Sequence, residues 1–324
     1  MKRNLKIVTS GQAVPKPVVA NQDLTAWLDT SDEWITSRTG IKERHLSDGE
    51  NTADLATRAA KQALERAKWD PASLNLIIVA TMTPEALMPS TAATVQGRIG
   101  ATQAAAFDLS AACTGFVDAL TVANQMLQNP QFQRILVIGA ETMSKIIDWY
   151  DRTTAVLFGD GAGAVLVEAT SEPIGILGVD LMTDGQQGPK LTAGQTVVTQ
   201  KAPHPLTRLT PLKMDGRAVY KFATHEVPAS INRALAQAQV PVTAVDHFIL
   251  HQANARIIRQ VAKRLGQPLV KFPQNIDHVG NTAAASEPLL LDEIIKKGQL
   301  KHGETIVLSG FGGGLTAATI ILKY

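Results

Sequence analysis

"LFGDGAGAVLVEA", residues 157–169, and "GFGGGLTAATIIL", residues 310–322, are one phrase written twice. Each is a glycine-rich turn feeding a run of small and β-branched residues, and the two lie about half the chain apart. One echo at so long a period marks a duplication, because solenoids repeat shorter units many times. Strand-like runs precede the first phrase at 74–81 ("LNLIIVAT"), 104–110 ("AAAFDLS") and 134–140 ("RILVIGA"), and the phrase itself reads as strand from Ala155 to Ala169. A second set follows at 245–252 ("VDHFILHQ"), 269–274 ("LVKFPQ"), 304–314 ("ETIVLSGFGGG") and 315–324 ("LTAATIILKY"). Helical spacing of apolar residues fills the gaps, over 52–68, 114–128, 219–238, 255–265 and 283–297. Strands alternating with helices predict α/β layering, here as two similar halves whose seam is the natural place for a site. Residues 184–211, rich in Gly, Pro and Thr without a period, predict a long loop of the kind that acts as a lid or binding segment.

Composition narrows the function classes. The 31 Lys and Arg nearly balance the 29 Asp and Glu among 324 residues, so overall charge argues for neither nucleic-acid nor membrane binding. Aromatics, at 5%, are too few for a base-stacking surface. The N-terminal "MKRNLKIVTSGQAVPKP" begins basic, but Ser, Gly and Pro break its short apolar stretch, so it does not read as a signal peptide. No apolar run approaches the ~18 residues of a membrane helix. The single cysteine permits no internal disulfide, which predicts a cytoplasmic protein.

Four features bear on chemistry. "GDGAG", 159–163, lacks dinucleotide-binding spacing and precedes a strand, so it reads as tight turns between strands. "FGGG", 311–314, differs: adjacent glycines leave backbone N–H groups open to a ligand, as an oxyanion hole requires. His247 and His251 face one side of a strand, yet no third or fourth ligand at metal-site spacing accompanies them. Cys113 sits where "AAAFDLS" gives way to a helical pattern carried by Phe116, Leu120, Ala123 and Leu127. There the helix N-terminus would lower a thiol pKa and favour the thiolate. Position alone leaves Cys113 equally open to packing and to catalysis, because free cysteines are commonly buried.

Taken together, "AACTGF" at Cys113, "HQANARII" at His251, "HVGNTAAASEP" at Asn281, "FGGG" and "TSDEWITSRTGIKERH" near the start resemble the β-ketoacyl-acyl-carrier-protein synthase III family, from about Thr30 to the C-terminus. The resemblance implies a thiolase-type α/β fold, with duplicated halves in five α-β-α-β-α layers. The halves would be 1–173, carrying the cysteine, and 174–324, carrying the histidine and asparagine. It implies Cys113 as acyl-accepting nucleophile, His251 and Asn281 serving decarboxylation and condensation, and an oxyanion hole from the backbone N–H groups of Cys113 and Gly313. Trp34 and Arg152 match coenzyme A adenine contacts, with Arg38 and Asn254 on the same path and Phe311 beside the site. Met88 matches a residue that reaches across a homodimer to the partner's acyl pocket.

The implied reaction takes a short acyl group, acetyl in the first instance, from acyl-CoA and condenses it with malonyl-acyl carrier protein, with no metal or redox cofactor. An acidic carrier protein needs a basic patch, for which Lys221, Arg256, Arg259, Lys263 and Arg264 are the candidates. Two departures stand out in "GNTAAASEP": Ala284, where serine is expected, and Glu287, where an aliphatic residue is expected. A carboxylate facing the site at 287 would oppose malonyl binding. The alternatives are a secondary-metabolism condensing enzyme of the same superfamily and a silent acyl-CoA or carrier-protein binding module.

Overall fold

The computed structural model describes residues 3–196 and 209–324. The chain runs from β1 (Asn4–Ala13) and β2 (Val18–Ala20) through α1 (Asn21–Leu24), α2 (Asp32–Thr39) and β3 (Glu43–His45) to α3 (Thr52–Ala67) and β4 (Leu76–Ala80). Next come α4 (Thr91–Ile99), β5 (Ala105–Leu109), α5 (Gly115–Met126), β6 (Arg134–Glu141), α6 (Arg152–Ala155) and β7 (Gly161–Thr170). After β8 (Gly175–Thr183), β9 (Leu191–Thr192) and β10 (Lys213–Met214) follow α7 (Gly216–Ala238), β11 (His247–Leu250), α8 (Ala255–Leu265) and α9 (Ile276–Val279). The chain closes with α10 (Ser286–Lys296), β12 (Thr305–Gly312) and β13 (Thr316–Lys323).

Two mixed sheets result, ordered β1-β7-β6-β4-β5 and β11-β12-β13-β8. In both, a parallel pair, β4 with β6 or β11 with β12, is extended by two antiparallel neighbours, β7 and β1 or β13 and β8. The duplicated phrases thus fall on corresponding strands, β7 and β13. Alternate residues of each strand feed different cores, as the two-residue side-chain period requires. On β4, Leu76, Ile78 and Ala80 face inward, with Phe116 and Leu120 of α5 and Leu290 and Leu291 of α10. Ile77 and Val79 face outward under α3 and α4. On β12, Ile306 and Leu308 join the inner core, while Val307 and Phe311 face α7 and α8. The helices α5 and α10 therefore form a shared middle layer, and the order across the molecule is α-β-α-β-α. Each fully buried Leu or Phe in that layer contributes roughly 1.5–3 kcal/mol of transfer free energy.

Several expectations need correction. "LVKFPQ" is not a strand: Leu269–Lys271 forms a short 3-10 turn, bounded by Pro268 and Pro273, and Val270 is exposed. Among the described residues the second sheet accordingly has no counterpart of β5. Residues 155–169 are not one strand, since Arg152–Ala155 is helical and β7 begins only at Gly161. Gly161 and Gly163 are therefore inside a strand rather than in a turn, and their role is close packing. A Cβ at Gly163 would lie 2.6 Å from the Pro288 carbonyl carbon and 2.7 Å from the Leu289 nitrogen, so α10 rests on bare backbone. The strands β1 and β8 and the helices α2 and α4 were not anticipated. Of the expected loop 184–211, Gly185–Lys190 is a 3-10 turn and β9 pairs with β10; 197–208 lie outside the described residues, as do 1–2.

Glu287 faces neither solvent nor any cavity. It is fully buried in the first turn of α10, and neither carboxyl oxygen has a partner among the described residues. Its Oε1 would be 2.9 Å from a Cβ on Gly310, beneath the Cys113 turn. Burial, together with the nearby Asp118 carboxylate, pushes its pKa well above the ordinary 4.5. The sequence-based concern that it opposes malonyl binding is thus met by placement behind the nucleophile.

Two outcomes follow for stability. Gly163→Ala should cost about 1–3 kcal/mol in urea unfolding through overpacking, while Gly185→Ala, with nothing within 4 Å, should be silent. Because the folded state holds Glu287 protonated and the unfolded state ionises it above about pH 4.5, wild-type stability falls as pH rises past that point. Glu287→Gln should therefore match wild type near pH 4 and gain on it steadily above, by up to about 1.4 kcal/mol per pH unit. Parallel stability curves across pH 4–8 would show that the carboxyl is not held neutral.

Candidate active site

A cavity of about 910 Å³ opens between the halves and is lined by Cys113, His251, Asn281, Asn254, Phe311, Gly312 and Gly313. Cys113 stands in a 3-10 turn, Ala112–Thr114, that leads into α5. Ala112 holds the left-handed φ of +47°. That strained conformation, of order 1–3 kcal/mol, is tied down by Thr114, whose Oγ1 donates to the Ala111 carbonyl at 2.8 Å and to Asp118 at 2.6 Å. Gly312 completes the contact from β12: a Cβ there would be 2.8 Å from Cys113 Cβ and 3.0 Å from its Sγ. Only glycine lets the strand pass beside the sulfur.

The expected lowering of the Cys113 pKa is not what the surroundings favour. Burial raises the Cys113 thiol, and Glu287 and Glu141 push the same way. The N-terminus of α5 acts against them but does not outweigh full desolvation.

His251 follows β11, with its N–H donating to the Ser309 carbonyl of β12 at 2.9 Å. Its ring is buried, meets Phe311 edge-on at 5.1 Å, and is held neutral, with burial lowering the pKa to about 3. Among the described residues Nδ1 is buried without a partner, so the tautomer with its proton on Nε2 avoids an unsatisfied buried N–H. Asn281 is set by a backbone bridge to Phe158: its N–H donates to the Leu157 carbonyl at 2.9 Å, and its carbonyl accepts from Gly159 at 3.0 Å. Its Oδ1 accepts from the Ala283 N–H at 3.0 Å, which leaves Nδ2 as the free end of the amide.

The remaining sequence-based candidates divide between the cavity and its surroundings. Asn254 caps α8, accepting from the Arg256 N–H at 2.8 Å. Trp34, Arg38 and Arg152 do not line the cavity but form their own cluster, with the guanidinium carbons 4.6 Å (Arg38) and 5.2 Å (Arg152) from the indole centroid. Arg256 ties this cluster to α8 by a forked bond to the Ser37 carbonyl. Met88 is 85% exposed beside Leu87, which is 99% exposed at the cavity lip. Lys221, Arg256, Arg259, Lys263 and Arg264 are all surface residues, and Arg264 contacts His225 at 3.1 Å. Sequence reading missed Gly312, although it lies inside "FGGG". It also missed Glu141, whose buried carboxyl, raised to about 7 by burial, accepts from Thr81, Thr83 and the Met82 N–H. Those bonds fix the 81–83 segment, of which Met82 and Thr83 line the cavity.

Comparison with known proteins identifies the family. The family models described as 3-oxoacyl-[acyl-carrier-protein (ACP)] synthase III and its C-terminal region match residues 107–185 and 235–324. The chain is similar to beta-ketoacyl-[acyl-carrier-protein] synthase III of Limosilactobacillus reuteri, with 53% identity over 99% of this chain and 100% of the relative. It is 54% identical to the protein of that name from Lactobacillus delbrueckii subsp. bulgaricus, over 98% of each. Among solved structures, 3-oxoacyl-[acyl-carrier-protein] synthase III from Aquifex aeolicus superposes with a TM-score of 0.92 at 42% identity, over 99% of this chain and 100% of the other. The thiolase-type layering, the cysteine at the seam and these full-length matches place the chain in the β-ketoacyl-[acyl-carrier-protein] synthase III family of condensing acyltransferases.

Proposed function

We propose that this chain initiates fatty-acid synthesis by moving a short acyl group, acetyl in the first instance, from acyl-CoA to Cys113. It then condenses that group with malonyl-acyl carrier protein. The observation that carries the reading is the convergence of Cys113, His251 and Asn281 on one cavity from both halves of the molecule. In the first step Cys113 Sγ attacks the thioester carbonyl, the carbon–sulfur bond to coenzyme A breaks, and the thiol proton ends on the departing sulfur. A protonated resting thiol suits this exchange, because it spares the buried Cys113 turn a standing negative charge. The oxyanion that develops is met by the backbone N–H groups of Cys113 and Gly313.

In the second step the malonyl C–C bond breaks, CO₂ leaves, and the electron pair passes to the thioester as an enolate. Its oxygen takes hydrogen bonds from His251 Nε2 and Asn281 Nδ2, both neutral donors. The carbanion carbon attacks acyl-Cys113, and the sulfur leaves and is reprotonated. Nothing in this sequence of steps calls for a metal or redox cofactor.

The surroundings fit the substrates. Trp34, with the Arg38 and Arg152 guanidinium groups near its ring, offers a stacking face and charge for the nucleotide end of coenzyme A, and Asn254 lines the cavity two residues before Arg256, which bonds to Ser37 of the Trp34 helix. Lys221, Arg256, Arg259, Lys263 and Arg264 supply the basic surface for an acidic carrier protein. The edge strand β5 presents Phe107, and Leu87 and Met88 are further exposed apolar side chains of the same half. An exposed strand edge carrying apolar residues suits pairing with a second copy, which makes a homodimer the working assembly.

Mass spectrometry after incubation with acetyl-CoA should find one acetyl group on Cys113, absent in Cys113→Ala; an unmodified thiol with every acyl-CoA would leave only a binding module. His251→Ala should still be acetylated while condensation falls by about 10²-fold or more. Because His251 is neutral down to about pH 3, the condensation rate of the acetylated enzyme should show no acid limb near pH 6.5. Such a limb, lost in His251→Ala, would mean that the imidazole titrates in the working range.

A further inference from the structure

Arg44 is among the largest side chains buried completely in this protein, yet it has no carboxylate partner among the described residues. Its charge rests on three neutral oxygens. Nη1 donates to the Val19 carbonyl at 3.1 Å and to Asn21 Oδ1 at 2.9 Å, and Nη2 donates to the Val156 carbonyl at 2.7 Å. Burial lowers its pKa to about 10, which still leaves it cationic at neutral pH. A buried cation satisfied only by dipoles is costly, and the fork geometry of a guanidinium is what lets one side chain hold acceptors from separate segments.

Those acceptors lead to the two walls of the Trp34 cluster. Asn21 Nδ2 in turn donates to Asp32 Oδ1 at 2.8 Å, Thr36 Oγ1 at 3.1 Å and the Ile41 carbonyl at 2.7 Å, which fixes α2 and with it Trp34 and Arg38. Val156 ends α6, whose first residue is Arg152. The stem of Arg44 meets a different partner. Its Cβ would be 3.2 Å from a Cβ on Gly159 and 3.2 Å from one on Gly280, the residues that flank the Asn281 backbone bridge. Gly280 carries a φ of +69°, so this junction depends on glycine as well as on the wedge of Arg44.

We infer that Arg44 is a positioning residue that sets the distance between the Trp34 clamp and the Asn281 amide, coupling the grip on the nucleotide end of coenzyme A to the decarboxylating end of the cavity. The inference rests on the proposed function. Acetylation of the wild-type enzyme and its decarboxylation of malonyl-acyl carrier protein test that function by themselves, whatever Arg44 does.

The experiment compares Arg44→Met and Arg44→Lys with wild type in three assays. These are KM for acetyl-CoA, acetylation of Cys113 from the truncated thioester acetyl-N-acetylcysteamine, and decarboxylation of malonyl-acyl carrier protein. Loss of the fork should raise KM for acetyl-CoA and slow decarboxylation, each by about tenfold, while acetylation from the truncated thioester, which lacks the nucleotide, stays at the wild-type rate. Lysine, which cannot span both acceptors, should fall on the same side as methionine, and its retained cation keeps the test open if the methionine variant does not fold. Asn21→Ala cuts the link to α2 alone and should raise KM without slowing decarboxylation. Equal loss with both thioesters would place the defect at Cys113 or in the fold and overturn the inference. So would unchanged KM and decarboxylation in Arg44→Lys.

Discussion

The structure depends on a reciprocal contact in which each half accepts the other's helix turn against a strand that has no side chain there. On β12, Gly310 lies under the Cys113 turn, where a Cβ would be 2.8 Å from the Cys113 carbonyl oxygen. On β6, Gly139 lies under the opposite turn, where a Cβ would be 2.0 Å from the Ala284 carbonyl oxygen. Both glycines are the sixth residue of their strands, and both turns are 3-10 segments entered through a left-handed alanine, Ala112 or Ala283. The duplication is thus a packing rule as well as a sequence echo: two middle-layer helices sit close enough to both sheets to share one core. Interiors packed at this density do not tolerate an added methyl without displacement.

That symmetry explains where the chemistry lies. The counterpart of Cys113 is Ala284, so one turn carries the nucleophile and the other is a small inert spacer. The departure at Ala284 noted in the sequence therefore falls on the inert turn. The proposed catalytic set is asymmetric, and it is assembled by neighbours of the same seam. His251 hangs from Ser309 on β12, and Asn281 is bridged to Phe158 ahead of β7. Burial governs the resting charges at the seam, pushing the thiol pKa up and the imidazole pKa down, so that both groups favour their neutral forms. Neutral donors are then the appropriate partners for an enolate, since they need no compensating charge before the malonyl group arrives.

Much of this was legible from the residues. The glycine-rich phrase at 157–169 and 310–322 carried the duplication, and the Cys, His and Asn segments carried the site. What failed to show was long-range packing. "LVKFPQ" has the composition of a strand, but no sheet edge receives it. Gly161 and Gly163 look like turn residues until α10 is seen resting on them. The thiol at a helix start looked activated because the sequence displays the helix dipole and hides the desolvation. Arg44, inside "IKERH", is indistinguishable in sequence from a surface arginine.

The buried acids Glu141 and Glu287 show how such a site is kept at a cost in stability. Glu141 spends its charge on three donors and fixes the 81–83 segment, so its burial is returned as cavity shape. Glu287 has no donor to fix among the described residues, and it raises the thiol beside it only where it ionises. A neutral carboxyl in this position still costs about 1–3 kcal/mol in unmade hydrogen bonds. It is tolerable because the surrounding middle layer, from Phe116 to Leu291, buries enough apolar surface to offset it. The placement also confines any ionisation of Glu287 to the protein side of Cys113, where it opposes thiolate formation from behind the turn rather than from the cavity.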